Sequence, residues 1–271
     1  MSITFSNFFI FISVFVAIFF INNYNQSKIT IKVIAMKVMT FNIQHALDYQ
    51  KQIIDTDFFA GAIRHYGADI CCLNEVRGEG PIDGYTDQTN ALGDSLGFYR
   101  YFGEAVKVGY TSPYGNAVVS RFPFKSAETV AIPVSPEKTE DEYHEPRCVI
   151  KAVFEIEGRD VCFLICHMGL SDKERVEAVK TICELIDGTD LPIILTGDFN
   201  TTPDDSVLEP IYNRLNDSDK KADAKGIFTY ASYSPEIRID YIFYRGLECR
   251  HSEVITEIFS DHFPIIAEFD I

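Results

Sequence analysis

The sequence predicts an α/β protein, and three observations carry that prediction. Leu191 to Leu195 is apolar and β-branched, with Pro192 and Gly197 as punctuation, so it reads as a strand buried on both faces. Two helical patterns stand between such strands. Phe58, Phe59, Ile63 and Tyr66 precede a Gly67 C-cap, and Val176, Val179, Ile182 and Leu185 follow the capping box Ser171-Asp172-Lys173-Glu174. Strands also end in polar groups. The strand at Leu191 runs straight into Gly197-Asp198-Phe199-Asn200, and the C-terminal edge of a sheet is where α/β proteins place ligands.

In chain order, Lys37 to Ile43 alternates and forms a first strand that delivers Asn42 and His45 to its end. The helix before Gly67 follows. Asp69 to Val76 is a second buried strand, ending in Glu75. Residues 78–113 are rich in Gly, Asp, Thr and Tyr and read as loops around a helix at Asn90 to Leu96 and a strand at Tyr99 to Phe102. Gly115 to Phe122 is a further strand, and Pro133 to His144 is a charged, mobile loop. Arg147 to Ile156 and Val161 to His167 form a hairpin around Glu157-Gly158-Arg159-Asp160. After the Leu191 strand, Pro203 to Leu215 is a short helical segment, and Ile239 to Tyr244 and Ile265 to Phe269 complete the strands.

The 271 residues suffice for one large domain, and no Gly/Ser or Pro-rich spacer divides them. The net charge is −16, and residues 1–35 carry only Lys28 and Lys32, so the remainder is more acidic still. Such a surface repels polyanions and disfavours a nonspecific duplex-DNA binder. Of seven cysteines, Cys71, Cys72, Cys148, Cys162 and Cys166 sit in apolar, strand-like runs, with no zinc-knuckle spacing. They read as reduced core residues, which favours the cytosol.

Phe8 to Ile21 is apolar apart from Ser13, and nothing charged precedes it. Two readings stand level: a membrane anchor, with Lys28 and Lys32 leaving the following domain on the cytoplasmic side, or a start of translation at Met36. A cleaved signal peptide ranks below both, for want of a positive n-region. The expected organisation is a hydrophobic segment at 1–35 and a monomeric catalytic domain at 36–271. That domain is cytoplasmic, or membrane-anchored and facing the cytoplasm.

Each polar motif has a bland alternative. Gly-Asp-x-Asn also closes strands as an Asx turn. Glu75 reads as a surface carboxylate or, directly after apolar residues, as a metal ligand. Asp240 interrupts an otherwise apolar strand in Arg238-Ile239-Asp240-Tyr241. Asp261-His262 stands just before Pro264 and a buried strand. One strand-end histidine is usually structural. Two of them, His167 and His262, each with candidate partners, favour a catalytic pair.

Asn42, Glu75, Arg147, His167, Gly197-Asp198-Phe199-Asn200, Asp240 and Asp261-His262, in this order, resemble the endonuclease/exonuclease/phosphatase superfamily, the fold of deoxyribonuclease I. The resemblance covers about residues 36–271. It implies a four-layer α/β sandwich, with two mixed sheets packed face to face and helices outside. It also implies divalent-metal-dependent hydrolysis of a phosphate ester with Mg²⁺ or Mn²⁺. In that reading Glu75, Asn42 and Asp261 are the metal ligands, and Asp198 orients and deprotonates water. Asn200 holds phosphate, Asp240 partners His262, and His167 is the second imidazole. Arg147 resembles the arginine that touches substrate phosphate, the alternative being an ion pair with Glu145. Asn116 takes the place where deoxyribonuclease-like members have a glutamate that orients the residue matching His167.

The substrate expected from charge is a small or lipid-linked phosphate ester. A DNA or RNA nuclease is the alternative, and a non-catalytic phosphate binder is argued against by the intact polar set. Tyr85, Tyr110, Tyr114, Tyr143, Tyr230 and Tyr233 lie in rim loops, where they either meet substrate or simply pack.

Overall fold

The computed structural model describes residues 35–219 and 228–271, so the expectations for residues 1–34 lie outside the described residues. The chain opens with β1 (Ala35–Asn42), the short pair β2 (Leu47–Asp48) and β3 (Ile53–Ile54), and α1 (Thr56–Tyr66). Then come β4 (Ile70–Arg77), α2 (Gln88–Leu96), β5 (Tyr99–Val108), β6 (Ser112–Ser120) and β7 (Phe124–Ala131). The second half holds β8 (Cys148–Ile156), β9 (Arg159–His167), α3 (Asp172–Asp187), β10 (Ile193–Asp198) and α4 (Glu209–Tyr212). It ends with β11 (Asn216–Asp217), β12 (Asp240–Arg245), β13 (Glu248–Val254) and β14 (Ile265–Asp270).

Two six-stranded sheets result, in the orders β13-β14-β1-β4-β6-β5 and β11-β12-β10-β9-β8-β7. Both are mixed. β1 and β4 pair in parallel across α1, β9 and β10 across α3, and their other neighbours are antiparallel. The sheets pack face to face through Val38, Ile70, Cys72 and Val118 of one and Ile150, Phe163, Ile165 and Ile194 of the other. Met39, Phe41 and Leu73 point outward against Phe59 and Ile63 of α1. Cys162, Leu164 and Leu195 do the same against Val179 and Ile182 of α3. Central strands are therefore buried on both faces, which explains their unbroken apolar runs. The four-layer α/β sandwich is the observed fold.

The helix ends follow their caps. Ser171 Oγ and the Glu174 side chain form the reciprocal capping box of α3, and Gly67 closes α1 at φ 68°. Cys71, Cys72, Cys148, Cys162, Cys166 and Cys183 are buried free thiols.

Several expectations need correction. The buried face of α3 is Ala178, Val179, Ile182 and Ile186, whereas Val176 is 54% exposed. The β8–β9 turn is tighter than a four-residue loop. Glu157 and Gly158 alone form it at φ 53° and 79°, the left-handed pair a type I′ turn needs, and Arg159 and Asp160 already pair. β4 does not stop at Glu75. It continues to Arg77 through a register shift between Leu73 and Val76 that leaves Glu75 at φ 58°. β7 and β13 are edge strands with an exposed face, so no apolar run announced them. The 133–144 loop lacks regular structure but is tied down, with Lys173 Nζ reaching Glu142 Oε1 and the Glu137 carbonyl at 2.8 Å.

Candidate active site

The site forms where the C-terminal ends of β1, β4, β9 and β10 meet. In the second sheet the pairing register sets His167, Asp198 and Asp240 abreast on β9, β10 and β12. Gly197 makes this approach feasible: its φ is 141°, and an added Cβ would lie 1.8 Å from the Cys166 carbonyl oxygen. In the first sheet Asn42 lies beside Asn74 at the ends of β1 and β4. The bulge then turns Glu75 so that Oε1 accepts from Asn42 Nδ2 at 3.0 Å and Oε2 from the Tyr114 hydroxyl at 2.9 Å.

Asp198 is the hub. Its Oδ2 lies 3.0 Å from Asn42 Nδ2, 3.5 Å from His167 Nε2 and 3.6 Å from His262 Nε2, and its Oδ1 accepts the Asn200 N–H. Burial lifts its carboxyl to about 7, against the opposing pull of His262. His262 Nδ1 is 2.9 Å from Asp240 Oδ2. Burial alone would lower this imidazole, but the carboxylates of Asp240 and Asp198 outweigh it and push it up to about 10, which favours the charged form. Thr229 Oγ1 anchors the start of β12 through the N–H groups of Ile239 and Asp240. The Tyr230 ring stands 4.8 Å from His262.

His167 has the opposite surroundings. Its Nδ1 meets Arg147 Nη1 at 2.9 Å. Burial first, then Arg147 and His262, hold it well below the usual histidine range. Arg147 also makes the expected alternative contact, an ion pair with Glu145 at 3.1 Å, with its own side chain 12% exposed and that of Glu145 35%. Asn200 spends one amide hydrogen on the Met168 carbonyl at 2.9 Å and keeps the other.

Asn116 does not orient His167. It accepts from Asn74 Nδ2 at 2.8 Å and donates to the Cys148 carbonyl at 3.0 Å, and it is buried. Asn74, which the sequence reading passed over, joins the sheets. Its Nδ2 also reaches the Cys166 carbonyl, and its Oδ1 takes the Asp198 N–H. Gln44 was also missed as a site residue, and Tyr114, expected in a rim loop, lies on β6. Gln44 Nε2 donates to Asp261 Oδ2 at 3.1 Å, while Ser260 Oγ donates to Oδ1. The Asn-x-Gln spacing at the end of β1 was the available signal for Gln44.

Two groups here invite a cation. Asp198, Asp240 and His262 offer ligand atoms within 4.8 Å of one another. This cluster is already joined by internal hydrogen bonds, Asp240 Oδ2 to His262 Nδ1 at 2.9 Å and Asp198 Oδ2 to Asn42 Nδ2 at 3.0 Å. Glu75 and Asp261 are close enough for the charge of one to act on the other, and Asn42 offers an amide oxygen that accepts the Gln44 N–H at 3.1 Å. Burial raises the Asp261 carboxyl and the nearby Glu75 charge adds to the rise, the mutual repulsion a hard cation would relieve. The donor chemistry fits Mg²⁺ or Mn²⁺.

The chain belongs to the Endonuclease/Exonuclease/phosphatase family, whose profile matches residues 39–262 and whose members are hydrolases acting on phosphate esters. Members include phosphatases, nucleases and phosphodiesterases, typically dependent on a divalent metal. The chain is 23% identical to the Escherichia coli K12 protein YbhP over 256 residues, covering 88% of this chain and 97% of that one. A family structure from Beutenbergia cavernae DSM 12333 superposes with a TM-score of 0.73 at 24% identity, covering 88% of this chain and 72% of that one. The mannosyl-6-phosphatase Bt3783 of Bacteroides thetaiotaomicron VPI-5482 gives 0.66 at 23% identity, covering 86% and 99%. Among the described residues no helix is long and apolar enough to cross a membrane.

Proposed function

We propose that the protein is a divalent-metal-dependent phosphoesterase acting on a small or lipid-linked phosphate ester. The observation that carries this reading is the Asn42 carboxamide. It donates to Glu75 and Asp198 at 3.0 Å each, and so joins an oxygen-rich face to a carboxylate–imidazolium face. Glu75, Asp261 and Asn42 Oδ1 would hold Mg²⁺ or Mn²⁺. When bound, such a cation neutralises phosphate charge and stabilises the leaving oxygen.

The remaining roles fall to the chain's own side chains. Asp198, with its carboxyl raised by burial, orients water and takes its proton. His262, held charged by Asp240, donates to a phosphate oxygen. Arg147 and the second amide hydrogen of Asn200 donate to the same group, and His167 Nε2 faces Asp198.

The net charge of −16 opposes long polyanions and supports a small ester. The printed activity of Bt3783, on a sugar phosphate, supports the same substrate class. Tyr230 beside His262, and Tyr233 stacked on Tyr49 at 6.0 Å, offer an aromatic wall for the alcohol portion of an ester.

The test is a hydrolysis screen with Mg²⁺ or Mn²⁺ across sugar phosphates, inositol phosphates, phospholipids, nucleotides and nucleic acids. Glu75→Gln should nearly abolish turnover and weaken cation affinity measured by calorimetry. Full hydrolysis in excess chelator overturns the metal dependence. Hydrolysis of nucleic acid alone, falling steeply with salt, makes the protein a nuclease.

A further inference from the structure

We infer that Arg147 is a positioning residue that locks His167 as its neutral Nε2–H tautomer, making His167 a fixed hydrogen-bond donor and not a proton carrier. The inference rests on the phosphoesterase reading of the same site. Arg147 Nη1 lies 2.9 Å from His167 Nδ1. A guanidinium has only donors and stays protonated, so Nδ1 must present its lone pair. An imidazolium would set two N–H groups and two positive charges against each other. His167 is only 6% exposed, so water cannot relieve that conflict.

The one hydrogen of the neutral ring therefore sits on Nε2, which faces Asp198 Oδ2 at 3.5 Å. His262 supplies the contrast inside one site. Its Nδ1 faces a carboxylate at 2.9 Å, so that nitrogen carries a hydrogen. Identical side chains are thus set to different states by their Nδ1 partners, a guanidinium for one and a carboxylate for the other.

Arg147 is itself fixed. It pairs with Glu145 at 3.1 Å, and its carbonyl takes the Ile132 N–H at 2.9 Å, so the residue is anchored where the 133–144 loop rejoins the sheet. Asn116, the alternative partner from the sequence, is committed to Asn74 and Cys148.

The test uses ¹⁵N-histidine-labelled full-length protein and long-range ¹H–¹⁵N spectra between pH 6 and 8. His167 should show an unprotonated Nδ1 and a protonated Nε2 throughout. A protonated Nδ1 overturns the lock. Arg147→Met should release the ring into mixed tautomers or protonation, whereas a phosphate-binding role alone would raise KM and leave the ring spectrum unchanged, which also overturns the lock.

If Arg147→Met does not fold, the wild-type spectrum and two variants at His167 decide. His167→Ala should lose about a hundredfold in kcat, the usual loss for one preorganised donor. His167→Gln keeps a neutral N–H and should retain at least about a tenth of the wild-type rate. Equal losses in the two variants make His167 a proton carrier and overturn the inference. If no phosphate ester is hydrolysed, the phosphoesterase reading fails, while the spectra still judge the lock.

Discussion

Asp240 and His262 should behave as one unit. His262→Ala and Asp198→Asn are each expected to cost more than about a hundredfold in turnover, since a positioned acid or base supplies roughly 10²–10⁴. Asp240 touches the ring and not the water, so Asp240→Asn should cost less. Combined with His262→Ala it should add little. Fully additive losses would show that the 2.9 Å contact does not couple them. The same pair sets a pH dependence of stability. The folded-state value of His262, about 10, lies above its unfolded 6.5, so its stabilisation is fully present below pH 6.5 and lost as pH rises through about 10. In chelator, the urea-stability gap between wild type and His262→Gln should therefore be wide at pH 6 and narrow by pH 10. A gap that widens with pH contradicts the assignment of an imidazolium.

Among the elements, β10 tolerates the least. Gly197→Ala would drive a Cβ into the neighbouring strand's carbonyl, with no flexible side chain to yield. Its cost should exceed about 4 kcal/mol, in the range reserved for strain and broken packing. Gly158→Ala meets nothing within 4 Å, but it strains a φ of 79° and should cost only about 1 kcal/mol. Denaturation midpoints of both variants give the comparison, and equal losses would show that backbone conformation, not the Cys166 contact, sets the demand at Gly197. The strands that were legible were those buried on both faces, such as β4 and β10, where apolar residues run without a break. The edge strands β7 and β13 were not legible, because a strand with one wet face and one partner needs no apolar signature.

For the whole molecule, the packed unit begins at Ala35, where β1 already pairs with β14: Ala35 lies opposite Asp270 and Met36 opposite Phe269. A chain starting at Met36 should accordingly fold, and should match the full chain in kcat and KM under the same metal conditions. Loss of cooperative unfolding in the shorter chain would show that residues before Met36 complete the core.

The sequence by itself determined the helix and strand runs and the chemistry of the strand ends, while the four layers followed from the family resemblance. Hydrophobic period, caps and turns act within a few residues, so the apolar runs, the Ser171–Glu174 box and the polar ends at Asn42, Glu75 and Asp198 were all readable from neighbours in the chain. Only the tertiary structure decided which polar groups meet. Asn42 reaches Asp198 across 156 positions and His262 across 220, through two sheets whose packing no local pattern encodes. That is why Asn116 was assigned to His167 and proved to join Asn74 to Cys148, while Arg147 took the histidine's free nitrogen. Residue type limits what a side chain can donate or accept, but only strand register and sheet packing bring a particular partner within 3 Å.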